Sequence, residues 1–211
     1  MDEHDDAPLD PQASAALIAE QRARVEAAVD VDGRVLFTAW GVAWTLGFGL
    51  LWAADAEASF APGTEVALLA FAGLLGAAGV VTAVHLVRRS RGVRGASARQ
   101  GAMYGWAWFL GFGVVAALAS ALARAGVADD VMTLAMMAVS LVVVGTLYMA
   151  GGAVWDAPTQ FALGAVILVA TIVAVLVGPP HTYLVMCVGG GGAMLAGAVV
   201  EAVRRRAPRE L

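Results

Sequence analysis

The chain has 211 residues, 60% of them hydrophobic and 14% charged, with a formal charge of −4 and a mean hydropathy of +0.78. That balance excludes an ordinary soluble domain. Six apolar runs of ~20 residues each consume more than half the chain, so no second folded domain fits beside them.

Met1 to Asp10 is acidic, with neither a basic start nor an early apolar stretch, so it does not read as a secretory signal peptide. It also supplies part of the negative charge, which therefore says little about partners. Asp10-Pro11 is a helix-start signal, a capping acid followed by Pro at the first helical position. Glu20/Arg24 and Arg22/Glu26 are opposite-charge pairs at i,i+4. With Gly33 as a stop, the pattern predicts a cytoplasmic helix from Pro11 to about Asp32, inside an N-terminal segment 1–33. Leu17, Ile18, Val25 and Val29 give it a thin apolar stripe. Such a helix lies against the bundle or lipid, or docks a cytosolic partner.

An all-α, polytopic transmembrane domain is predicted over 34–204. Its spans run about Val35–Ala54, Glu65–Val87, Ala102–Ala123, Val131–Ala150, Gln160–Val177 and Thr182–Val203. At ~1.5 Å per residue each crosses a ~30 Å hydrocarbon layer, the fifth with least to spare. In lipid such segments are helices or a closed barrel, and runs this long without period-two alternation choose helices. Residues 205–211 form a short tail.

All thirteen basic residues are Arg, and twelve fall on one side of this arrangement. Arg124 alone belongs to the other side. Cytoplasmic segments collect Arg and Lys, so both termini and the Arg88–Gln100 loop are predicted to be cytoplasmic. Anionic lipid explains the Arg88–Arg99 cluster, and nothing else points to nucleic acid. The opposite rim carries Asp55, Glu57, Glu65, Asp129 and Asp130. Acids at helix starts explain part of it. The chain has no Lys and no Asn but much Ala, Gly, Val and Arg. Codon chemistry then points to a GC-rich bacterium, and the expected location is its plasma membrane.

Ala39–Leu50 (AWGVAWTLGFGL) aligns with Met103–Val114 (MYGWAWFLGFGV), seven of twelve positions matching at a constant offset of 64. The matches include Gly41/Gly105, Trp44/Trp108, Gly47/Gly111 and Phe48/Phe112. Both segments open odd-numbered spans. The expected unit is a two-helix hairpin, present three times. The third copy is degenerate: Gly164 takes the place of Gly41 and Gly105, and Ile167 replaces the Trp.

On a helical wheel Trp40, Trp44, Gly47 and Leu51 share a face, as do Tyr104, Trp108, Gly111 and Val115. Trp44 lies roughly 15 Å past Arg34 by helical rise, far from the interface Trp prefers. It is either packed into a Gly notch on a neighbouring helix or part of an aromatic-lined path. Gly189, Gly190, Gly191 and Gly192 fall near the middle of the sixth span. Each costs a helix ~1 kcal/mol relative to Ala in water. Close helix approach explains such a tract, and so does a local break that turns carbonyls toward a solute.

His85 is expected at the inner boundary and Glu201 in an exposed pair with Arg204 and Arg205. Tyr148 and Asp156 also belong to the inner end. Lone Cys187 reads as packing. No Asp, Glu or Arg lies deep in a span, which argues against coupling to protons or sodium. No catalytic set, cofactor loop or metal cluster is visible, so no enzyme is expected.

Gln100–Trp108 (QGAMYGWAW), the AWGVAWTLGFG run from Ala39 and the GGGGAM run from Gly189 resemble a group of uncharacterised six-helix membrane proteins of high-GC Gram-positive bacteria, often labelled transporters. The likeness covers most of the chain and implies the fold, with no substrate. A weaker, fold-level analogy is to the amide/urea channels, also built from three hairpins. Two functions remain. One is a passive channel or transporter for a small neutral or weakly polar solute. The other is a membrane scaffold or sensor acting through the N-terminal helix. A homo-oligomer is compatible with both.

The Arg bias gives a direct test of orientation. In a Cys187→Ser background, impermeant thiol reagent applied to intact cells should label Cys at Ala58 or Val127 but not at Ser97. Labelling at Ser97 would overturn the orientation.

Overall fold

In the computed structural model, residues 10, 12, 14–17, 20–21, 32–89 and 95–206 are described. Six helices long and apolar enough to cross a membrane follow one another: α1 (Gly33–Asp55), α2 (Thr64–Arg89), α3 (Ala96–Arg124), α4 (Asp129–Val154), α5 (Pro158–Val177) and α6 (His181–Arg206). Every described element is helical. The all-helical, six-span fold is as expected, and membrane residence follows from the length and hydropathy of the spans.

The helices outrun the apolar segments that revealed them. α3 begins at Ala96, six residues before the expected start, and α6 continues to Arg206. Hydropathy marks where lipid begins, whereas backbone hydrogen bonding continues through charged turns that project beyond it. The N-terminal helix lies mostly outside the described residues. Gln12, Ser14–Leu17, Glu20 and Gln21 are helical, and Leu17 is exposed. Ile18, Val25 and Val29 lie outside the described residues. Gly33, expected as a helix stop, stands at a helix start. It opens α1, and Asp32 is the N-cap, its carboxylate accepting from the Arg34 N–H.

α1 is the centre of the bundle. Phe37, Gly41, Ala43, Trp44, Gly47, Phe48, Leu51 and Ala53 are buried along it, against α2 on one side and α6 on the other. α6 packs on α5, α5 on α4, and α4 on α3. The order around the bundle is therefore α2, α1, α6, α5, α4, α3. No extended packing joins α2 to α3 among the described residues. Those two helices end the arc. α2 buries only Ala67 and Ala78, and among the described residues no α3 side chain is fully buried.

Glycine sets the tight seams. A Cβ on Gly41 would meet Leu195 at 2.9 Å, and one on Gly145 would meet Leu168 at 2.7 Å. In lipid no hydrophobic force draws helices together, so association depends on close van der Waals contact, which small residues permit. The tract in α6 is the clearest case. Met186–Gly192 forms a π-helical segment inside α6. A Cβ on Gly189 would meet Ala170 of α5 at 3.0 Å. One on Gly190 would meet the Trp44 ring at 2.8 Å, and one on Gly191 would meet the Thr45 backbone N at 2.5 Å. Gly192 has only the Cys187 carbonyl at 3.9 Å.

The four glycines should therefore respond differently to Ala. Gly191→Ala, whose Cβ would strike backbone, should destabilise by about 1–3 kcal/mol. Gly192→Ala should be neutral or slightly stabilising, since Ala restricts the unfolded chain. Thermal unfolding in detergent ranks them, and equal melting temperatures for the two variants would refute the seam.

Candidate functional site

Two polar features interrupt the apolar bundle. One lies inside it, on the seam between α1 and α6. Trp44, 4% exposed, sits against Gly190 and meets Phe48 edge-on with centroids 5.8 Å apart. Its neighbour Thr45 carries the one buried side-chain oxygen among the described residues that lacks a hydrogen-bond partner. The Cys187 thiol donates to the Thr45 carbonyl at 3.2 Å. A buried hydroxyl left unpaired costs about 1–3 kcal/mol. π-turns likewise recur at functional positions more than in ordinary helices. The buried hydroxyls of α5 and α6 all have partners: Thr171 donates to the Ile167 carbonyl and Thr182 to that of Ala174, each at 2.7 Å, and Thr159 accepts from Arg204.

The residues of the two repeated faces are both present at helix seams, but the structure divides them. Trp40 donates its indole N–H to Thr82 Oγ1 at 2.9 Å, and Thr82 donates on to the Ala78 carbonyl. Tyr104 donates to the Leu147 carbonyl at 2.7 Å. Each aromatic thus reaches the partner helix of its own hairpin, α2 for Trp40 and α4 for Tyr104. Gly47 lies under the Phe71 ring of α2, and a Cβ on Gly111 would meet Val143 of α4 at 2.9 Å. Trp108 packs with Tyr104, Phe112 and Tyr148, and Tyr148 meets Phe37 of α1. Trp44 belongs to a different cluster with Phe48 and Phe71.

The second polar feature is at the end of the bundle where α1, α3 and α5 begin. Asp32 is buried there. Its carboxylate accepts from Arg34 at 2.7–3.2 Å, and Arg205 of α6 stands 3.9 Å away. The Asp32 backbone N–H donates to Nε2 of His85 on α2 at 3.2 Å. Arg204 donates to Thr159 of α5 at 3.0 Å, and Gln160 donates to the Tyr104 hydroxyl of α3 at 3.4 Å. Through the Tyr104–Leu147 bond this reaches α4, so polar contacts at one end touch all six helices. His85, expected at the inner boundary, lies near the end of α2 beside the start of α1. Arg204 and Arg205, expected beside Glu201, reach Thr159 and Asp32.

Sequence reasoning missed Asp32 and Thr45. Asp32 carried a legible signal, an acid immediately before an apolar helix with Arg two residues on. Thr45 carried none, because its isolation depends on where α6 passes. Among the described residues no cluster of three His, Cys, Asp or Glu could hold a metal.

The Arg34 hydrogen bonds, opposed in part by burial, hold the Asp32 carboxyl at about 2 against an ordinary 3.8. A depressed carboxyl stabilises the fold above its unfolded value and loses that contribution as pH falls through its folded value. Asp32→Asn keeps a capping side chain but loses the charge. It should cost about 1–2 kcal/mol at neutral pH, discounted because Arg34 is 44% exposed. The melting-temperature gap to wild type should close between about pH 4 and pH 2. A gap independent of pH would assign Asp32 to packing alone.

No protein-family model, curated protein or solved structure matches the chain.

Proposed function

We propose that the protein is a passive channel or transporter for a small neutral or weakly polar solute in a bacterial plasma membrane, with both termini cytoplasmic. The observation that supports this reading is the α1–α6 seam. An unpartnered Thr45 hydroxyl faces a π-helical glycine segment within the span. Close packing accounts for the glycines, but it does not account for a buried hydroxyl left unpaired beside them. A hydroxyl and a thiol among apolar walls suit a solute that can exchange a hydrogen bond or two. They do not suit a bare ion, which would shed its water there at large cost. Trp44 lies beside this seam, and Trp108 and Tyr104 lie in the aromatic cluster toward the Asp32 end. In this reading the path follows the seam between α1 and α6, and the chemistry is passage, not catalysis.

A second reading is a scaffold or sensor. It is favoured by Asp32, which ties the chain entering α1 to α2 and α6 through His85 and Arg205. A cytosolic partner on the N-terminal segment would pull directly on that junction.

Proteoliposomes loaded with small amides, alcohols and short acids should show flux above empty vesicles. Thr45→Val removes the lone hydroxyl and should leave stability unchanged or raise it by up to about 1 kcal/mol. It should change rate or selectivity. Removing residues 1–31 while keeping Asp32 should leave flux intact. Flux no faster than protein-free vesicles across the panel would overturn passage. Flux unaltered by Thr45→Val would remove the seam from the path.

A further inference from the structure

We propose that the face of α3 around Gly105 is a docking site for α2 of a second copy of this chain, so that two protomers close one ring of helices. Three glycines occupy matching places in the first helix of each hairpin. Gly41 and Gly105 match within the repeated segment, and Gly164 precedes Ile167 as they precede Trp44 and Trp108. Two of these glycines receive a neighbouring helix at backbone distance. A Cβ on Gly41 would meet the Leu195 backbone N of α6 at 3.0 Å. A Cβ on Gly164 would meet the Gly145 carbonyl and the Met149 N of α4, both at 2.6 Å. In each case the helix received is the second helix of the hairpin before it around the bundle. By the same rule Gly105 should receive α2. Nothing lies within 4 Å of a Cβ placed there.

The unfilled place has a matching shape. Ala102, Gly105, Trp106 and Phe109 line a shallow apolar hollow of about 330 Å³ on the outer surface of α3. Trp106 is 60% exposed and Phe109 68% exposed, and their rings meet edge-on with centroids 5.4 Å apart beside the glycine. α2 is the other helix at the break in the arc, and it too has an unused face. Gly76, Val80, Ala83 and Val87 fall on one helical stripe and are all exposed, Val80 by 63%. A Cβ on Gly76 would meet nothing within 4 Å. The depths agree. Val80 lies nine residues before the Arg89 end of α2, and Gly105 nine residues after the Ala96 start of α3, at the same end of the bundle.

Within one chain α2 and α3 make no extended packing among the described residues, and Phe37 of α1 meets Tyr148 of α4 instead. A second copy turned about an axis along the membrane normal supplies both missing contacts at once, α2 on α3 and α3 on α2. Such a two-fold contact is self-complementary and closes without leaving an open edge. Small residues facing an aromatic-walled hollow are what close helix approach in lipid requires. Pairing of this kind is independent of what crosses the bundle.

Two differently tagged full-length chains, both Cys187→Ser, test it directly. One carries Val80→Cys and the other Gly105→Cys, and they are co-expressed and oxidised in native membranes. A disulfide-linked species bearing both tags is expected. Purified wild type should have twice the chain mass in detergent by light scattering. Gly105→Leu should have the single-chain mass at an unchanged melting temperature, since the added side chain meets nothing within its own protomer. Placing both cysteines in one chain separates the alternatives. A fast-migrating monomer without dimer would mean that α2 and α3 close on each other, and would overturn the proposal. Absence of any cross-link with a monomeric wild type would mean that lipid covers the face, and would overturn it equally. So would a mass of three chains or more.

Discussion

The backbone-to-backbone contact of α1 with α6 is what the remaining bundle is built around. Lipid tails are as apolar as the side chains they would replace, so helices in a membrane gain little by burial and much by proximity. α1 reaches that proximity twice. Gly41 admits Leu195, and Gly190 and Gly191 admit Trp44 and Thr45. The π-helical turn explains how one glycine tract serves more than one neighbour. An i→i+5 register adds a residue to the turn and rotates the rest of the helix. Gly189 consequently faces Ala170 of α5 while Gly190 and Gly191 face α1. A regular α-helix through the same four residues would distribute them differently, and at least one of the two seams would widen.

That contact fixes the hierarchy of the other helices. α2 leans on α1 through Phe71 over Gly47, and α5 carries α4 through Gly164 and Gly145. α3 is attached last, through Tyr104, Trp108 and Gly111 to α4. Burial is concentrated in α1, α6, α5 and α4, whereas α2 buries only Ala67 and Ala78 and α3 has no buried residue among those described. A helix so weakly covered is either a lipid face or an interface, and the Gly105 hollow is a feature that lipid does not require.

The spans were legible because membrane insertion reads the two properties a sequence displays most plainly, length and hydropathy. Their ends were not, because Arg88, Arg89 and Arg204–Arg206 continue the hydrogen-bonded backbone where hydropathy has already fallen. The close-packing role of the glycine tract was legible from residue size alone. Its π register was not, since that depends on which carbonyl each N–H finds. The shared face of Trp40 with Trp44, and of Tyr104 with Trp108, follows from helical geometry. The destinations of their donors, Thr82 and the Leu147 carbonyl, depend on which helix lies opposite. Taking Gly33 as a terminator hides Asp32. A small residue inside the first turn lets α6 come near instead, with Glu201 at 3.5 Å from a Cβ placed there.

The two ends of the bundle are held by different forces. At the Asp32 end, charge-assisted and neutral hydrogen bonds run from α1 to α2 and α6, and from α6 through α5 and α3 to α4. Toward the far end, Thr182 of α6 donates to the Ala174 carbonyl of α5, and apolar contact dominates the rest. Breaking a buried polar contact costs the desolvation of the group left behind, whereas sliding an apolar seam exchanges one van der Waals contact for another. Displacement of α6 relative to α1 is therefore cheaper toward the far end, with the Asp32 cluster as its fixed point. The π-helical segment lies between the two, where a change of register needs no side chain larger than hydrogen to move past Trp44.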